Sequence, residues 1–184
     1  RQFVWRQLEP YVTNHMLTEF GDAVRRVLGE VDPVLELPPS ERYMAGFLGK
    51  QRKFSGSLRK GLVDSVARLA TDRKRQSWAS GIVRDILNPE GPEASAHWLS
   101  LVDVYPELAE AAPKVFLECL ESVLKQDAMQ FFQDRDQASP LLGPTSPHVS
   151  LLWALERLAW QRVWFPRVLN VLASLADADP GGYC

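Results

Sequence analysis

Two cysteines, Cys119 and Cys184, are too few and too far apart in this 184-residue chain for a zinc cluster or a disulfide framework. Their scarcity fits a reducing compartment, and a cytoplasmic location is the expectation. Histidine is equally sparse: His15, His97 and His148 lie far apart and lack the paired spacing of metal ligands. Charge is nearly balanced, with 21 basic and 23 acidic residues and a formal net charge of -2. Nothing therefore draws the chain as a whole to nucleic acid or anionic lipid. No apolar run approaches the roughly 18 residues needed to cross a bilayer, and no segment reads as a signal peptide. Strand alternation is missing too. Residues 31–37 (VDPVLEL) alternate briefly, but Pro33 within them argues against a central strand.

The motifs of catalysis are also wanting. Gly46-Phe47-Leu48-Gly49-Lys50 has two residues between its glycines where a phosphate-binding loop needs four, and Gln51 stands where Ser or Thr should follow the lysine. With no strand before it, the segment reads as a helix-ending glycine. Ser146 and Ser150 flank His148 without a nucleophile-elbow pattern, and Ser146-Pro147 reads as the start of a helix. Glu107/Glu110 and Glu118/Glu121 sit one helical turn apart, the ordinary pattern of a solvated face rather than a catalytic dyad. The sequence assigns no catalytic residue, no metal ligand and no cofactor, and it predicts a protein that is not an enzyme.

What the chain has is apolar periodicity. Its 46% hydrophobic content and six tryptophans are ample for a packed interior. The longest nearly uninterrupted amphipathic stretch is Ser146–Ala176, and the rest of the chain is expected to be organised around it. It divides into two helices, one with Leu151, Leu155 and Leu158 inward, the other with Phe165, Val168, Leu169, Leu172, Leu175 and Ala176. Trp153 and Trp160 lie seven apart on one helical face, with Trp164 across the turn. They are expected in the core or between helices; in a slice of a longer solenoid they would instead lie exposed.

Other helices are predicted at 12–28 (Val12, Met16, Phe20, Val24, Val27, Leu28, stopping at Gly29), from Ser40 to near Gly49, and at 54–70. The last is capped at Ser57, with Leu58, Leu62, Val66 and Leu69 on one face. More follow at 78–87, around Trp98–Val102, and after Pro106 and Pro113, both placed for first helical turns. The opening residues, RQFVWRQLEP, also read as helical. Ser57-Leu58-x-x-Gly61-Leu62 matches Ser150-Leu151-x-x-Ala154-Leu155, and both segments close on Arg-Leu-Ala, a faint internal repeat. Residues 133–147, with Pro140, Pro144 and Pro147, form the one long irregular stretch.

These readings predict an all-α protein of about eight or nine helices, packed as antiparallel pairs in a bundle or a short HEAT- or TPR-like α-solenoid. Residues 1–184 make a single domain, divisible at the Asn88–Pro92 break into lobes 1–88 and 93–184. The chain starts within a helical pattern and stops just after a Pro-Gly-Gly turn, so a portion of a longer protein is expected.

Charge is strongly segregated. Lys50 to Arg75 carries nine basic residues (Lys50, Arg52, Lys53, Arg59, Lys60, Arg68, Arg73, Lys74, Arg75) against Asp64 and Asp72. Asp85 to Asp136 carries eleven acids against Lys114, Lys125 and Arg135. Such a division serves neighbouring helices that attract one another, a protein-docking surface, or contact with phosphate.

The segments RKFSGSLRKGLVDSVARLA, SPHVSLLWALERLAW and RVLNVLASLADADPGG together resemble a helical region of very large bacterial multidomain proteins. It is of the kind seen in STAND-type anti-phage NTPases with helical sensor arrays. The resemblance implies a helical array whose nucleotide chemistry lies elsewhere in the parent protein, and it assigns no residue roles. The functional expectation is a non-catalytic interaction or scaffold module that presents a charged helical surface to a protein or to neighbouring domains. Lys50, Arg52, Lys53, Arg59, Lys60, Arg73, Lys74 and Arg75 are the candidate contact residues, with the 133–147 loop beside them. Nucleic-acid or phosphate-ligand binding through residues 50–75 is the alternative.

Overall fold

A computed structural model of the chain describes residues 11–88, 94–132 and 147–181. The helical reading of residues 1–10 and the irregular stretch 133–146 lie outside the described residues. Within them the chain forms eight α-helices and four short 3-10 helices, and no strand. In chain order these are α1 (Asn14–Leu28), α2 (Gly56–Leu69), α3 (Gln76–Leu87), α4 (Ala94–Ser100), α5 (Tyr105–Ala111), α6 (Pro113–Asp127), α7 (Pro147–Ala159) and α8 (Phe165–Ala178).

Caps and prolines set the boundaries. Thr13 Oγ1 accepts from the Met16 N–H at 3.2 Å, and the Gly29 N–H closes α1 on the Arg25 carbonyl at 2.7 Å. Ser55, not Ser57, caps α2: its hydroxyl accepts from the Leu58 N–H at 3.3 Å. Starting there adds two helical residues and lets the Arg59 N–H bond the Ser55 carbonyl. Pro106, Pro113 and Pro147 all fall in first turns, where a missing N–H costs nothing. The helix expected from Ser40 to Gly49 is a 3-10 turn, Pro39–Met44, preceded by Pro38 rather than capped by Ser40. The chain then reverses at Gly49, whose φ of +69° suits glycine, and the Lys50 N–H returns to the Ala45 carbonyl at 2.9 Å. This is a closed turn and not a phosphate cradle.

The centre of the molecule is α5, not the carboxy-terminal hairpin. Five of its seven residues are buried (Tyr105, Glu107, Leu108, Ala109, Ala111), and it packs against α2, α3, α6 and, most extensively, α7. A helix of two turns is too short to register as a periodic stripe, which is why only its proline is legible in sequence. An aromatic group locks it in place. Trp98 meets Tyr105 at 5.7 Å and both Phe116 and Phe131 at 5.9 Å between ring centres. Each polar tip is satisfied: the Trp98 indole donates to the Leu87 carbonyl at 3.0 Å and the Tyr105 hydroxyl to the Trp98 carbonyl at 2.7 Å.

One cluster of buried apolar side chains runs from Val24 to Leu175, so residues on both sides of 89–93 share a core. At the other edge α1 lies so close to α3 that a Cβ on Gly21 would stand 2.8 Å from Ile82 Cδ1, and Phe20 stacks on Trp78 at 6.1 Å. The internal repeat holds only in part. Ser57 and Leu58 are exposed where Ser150 and Leu151 are buried, whereas Leu69 and Leu158 both point inward and Arg68 and Arg157 both outward. Both helices flank α5.

Candidate functional site

Most of the basic block is paired within the fold, and three of its cations, Arg52, Arg59 and Lys60, reach the acidic block. Arg59 is the extreme case and corrects an expectation: offered as a surface cation, it has no exposed area. It occupies the buried face of α2 while Leu58, expected inward, is exposed. Its guanidinium donates to the Val27 carbonyl at 3.2 Å, the Ser100 carbonyl at 2.7 Å and both Asp103 carboxylate oxygens at 3.2 and 3.3 Å. A planar five-donor fork suits four acceptors arriving from three directions, which a lysine ammonium could not match.

Arg52 joins the same node. It bonds Asp32 at 2.6 Å, the Ser100 carbonyl at 3.0 Å and Asp103 at 3.3 Å. Lys50 pairs with Glu36, and the Lys53 ammonium lies 5.6 Å over the Phe54 ring while its N–H reaches Glu30. Lys60 lies 3.4 Å from Glu107, a buried carboxylate that Arg157 also approaches at 3.9 Å. Arg75 turns back on Asp72 at 3.7 Å. Among the eight candidates, Arg73, Lys74 and Lys53 leave their side chains exposed with no ion pair or hydrogen bond among the described residues, Lys53 having only its ring contact. The acidic block is met by arginines from outside the basic one as well, with Arg84 to Glu118 at 3.2 Å, Arg157 to Glu110 at 3.1 Å and Arg167 to Glu121 through two bonds at 2.9 and 2.8 Å. The residues that sequence reasoning missed here, Asp103 and Ser100, had no signal of their own beyond lying in the acidic third.

The histidines are separate. His97 is buried, with Nε2 at 2.5 Å from the Ile86 carbonyl, and its pKa is lowered from the ordinary 6.5, chiefly by burial and further by the Arg59 charge, against the carbonyl's upward pull. His148 stacks on Phe132 at 5.7 Å, and His15 lies exposed near Glu19. Burial likewise pushes the Cys119 thiol up, as does Glu118, while Arg84 opposes it. Among the described residues no three His, Cys, Asp or Glu side chains gather as a metal site. A cleft of about 560 Å³ opens where the α2–α3 turn, the α5–α6 junction and the α7–α8 turn meet. Glu110 and Lys114 both line it, so it carries no single sign of charge.

The second surface is the outer side of the α7–α8 hairpin, and it corrects the placement of the tryptophans. Trp153 is 58% exposed and Trp160 82%, because α7 turns Leu151, Ala154, Leu155 and Leu158 inward on the opposite face. Leu152, Val163, Phe165 and Leu169 are exposed on the same hairpin, and α8 buries Val168 and Leu175 as its stripe predicts, with Val171 added, while Phe165 and Leu169 of that stripe stay outside. The signal for this was in the sequence: α7 is apolar on both faces, more than a surface helix needs. No family model matches the chain, and no curated protein or solved structure matches it either.

Proposed function

We propose that this chain is a non-catalytic helical interaction module, and that its contact surface is the outer face of the α7–α8 hairpin. The observation that carries this reading is the exposure of two tryptophans with Leu152, Val163, Phe165 and Leu169 on one supersecondary unit. Exposed single apolar residues are common, but a clustered aromatic patch on one hairpin marks a surface kept for a partner. The resemblance to helical arrays of large bacterial multidomain proteins fits, since repeats in such arrays cover one another's apolar faces. HEAT- or TPR-like stacking in a larger protein would use this face.

The test places a photo-crosslinking residue at Val163 in the protein as expressed by its host. Adducts that the Trp153→Ser/Trp160→Ser pair abolishes, without lowering the thermal midpoint, are the expected result. Adducts unaffected by the pair, or a pair that unfolds the domain, would sink the reading.

A second reading, phosphate or nucleic-acid contact, is favoured by Arg68, Arg73 and Lys74, the cations near the α2–α3 turn that have no side-chain partner among the described residues. Three such contacts give a slope of log affinity against log salt of only about -3. Anisotropy with a labelled oligonucleotide at two salt concentrations decides it, and no binding at the lower one removes it.

A further inference from the structure

Two charged side chains of the hairpin, Glu156 and Arg162, are exposed and have no partner among the described residues. Glu156 stands inside the aromatic stripe, with Leu152 and Trp153 one turn before it and Trp160 one turn after. It is exposed and makes no ion pair or hydrogen bond among the described residues. Arg162, in the α7–α8 turn beside Val163, is equally exposed and equally unpaired. The neighbouring charges are already taken, Arg157 by Glu110 at 3.1 Å and Arg167 by Glu121 at 2.8 Å.

Any occupant that covers this apolar surface must desolvate a carboxylate and a guanidinium together. It must bring a cation to Glu156 and an anion to Arg162, because a charge buried without a partner strongly opposes association. An anionic lipid surface answers Arg162 and repels Glu156. A basic peptide does the reverse. A surface bearing one free charge of each sign is complementary to itself, and a two-fold axis satisfies both charges by repeating a single contact.

Resting on the reading that this hairpin face is the contact surface, we propose that it binds a second copy of the chain. In the resulting isologous dimer Glu156 of each copy pairs with Arg162 of the other around a centre formed by Trp153 and Trp160. The apolar side chains supply the association and the crossed ion pairs set its register.

Sedimentation velocity on the complete 184-residue chain, from micromolar to several hundred micromolar, tests this. The expected result is a concentration-dependent shift from the 20.8 kDa monomer toward twice that mass. Glu156→Arg alone and Arg162→Glu alone should each weaken association by about tenfold or more, since each sets like charges opposite one another. The double exchange Glu156→Arg/Arg162→Glu should restore it, a rescue that a general loss of folding could not produce. A monomer across the whole range overturns the proposal, as does association that ignores the single reversals or is not recovered by the exchange. A monomer that still forms the Val163 adducts with a different protein would remove the dimer and leave the interaction-module reading standing.

Discussion

Arg59 Nε lies 3.2 Å from Asp103 Oδ2 and its Nη2 lies 3.3 Å from Oδ1, a forked pair whose arginine has no contact with solvent. It ties α2 to the corner between α4 and α5, and its remaining donors reach the carbonyls that end α1 and α4. A buried cation of this kind is costly to bring out of water, so its contribution lies less in net stability than in permitting one arrangement of α1, α2 and α5.

Removing the cation alone takes the Arg59 donor from the buried Val27 carbonyl and leaves the Ser100 carbonyl and the Asp103 carboxylate to Arg52. Arg59→Ala should therefore cost about 3–5 kcal/mol in a urea titration, the range for breaking a buried pair from one side. Arg59→Lys should lose part of this, since a point charge cannot meet four acceptors. Arg73→Ala and Lys74→Ala, drawn from the same basic block, should stay within about 0.5 kcal/mol of the parent. Equal costs at all four would contradict the division of the block into buried and free members.

Trp98 sits at the junction of α4, α5, α6 and the 3-10 turn Met129–Phe132, touching three other rings. Trp98→Ala should destabilise by about 3–5 kcal/mol through the cavity it leaves. Tyr105→Phe, which removes only the hydroxyl bonded to the Trp98 carbonyl, should cost about 1–2 kcal/mol. Near-ultraviolet circular dichroism should lose intensity for the first variant and little for the second.

The exposure of the tryptophans is open to a direct optical check. Among the tryptophans of the described residues, acrylamide quenching should act chiefly on Trp160 and Trp153, while Trp98 stays protected. Trp153→Phe/Trp160→Phe should shift emission to shorter wavelength and cut the quenchable fraction. Unchanged quenching in that variant would place both side chains inside.

His97 makes stability depend on pH. Its folded pKa lies below the unfolded value of 6.5, so between the two the unfolded chain binds a proton that the folded one refuses. Its contribution is fully present above 6.5 and is lost as pH falls through that window toward the folded value. Denaturation midpoints should drop as pH falls from 7.5 through 6.5. His97→Gln should flatten that slope. The same slope in the variant would assign the effect to other groups.

Much of the architecture was open to reading residue by residue. Val24 and Val27, Ile82 and Ile86, Phe116 and Leu120 recur at helical spacing and are buried where the spacing puts them. Prolines 106, 113 and 147 announced three helix starts because only a first turn tolerates a missing N–H. The candidate site was far less legible. The opposed charge blocks showed attraction but not pairing, since Arg59 and Arg73 look alike in sequence and one is buried while the other is free.

By itself, then, the amino-acid order determined that this is an all-helical chain, where most helices begin, and that its two charged thirds would attract. Only the tertiary structure decided which face of each helix turned inward. The reason is geometric: periodicity says which side chains share a face, and it cannot say which of two apolar faces a neighbour will cover. On α2 that choice buried an arginine against Asp103 and left Leu58 outside. On α7 it buried Leu151, Leu155 and Leu158 and left Trp153 and Trp160, with Glu156 between them, facing solvent.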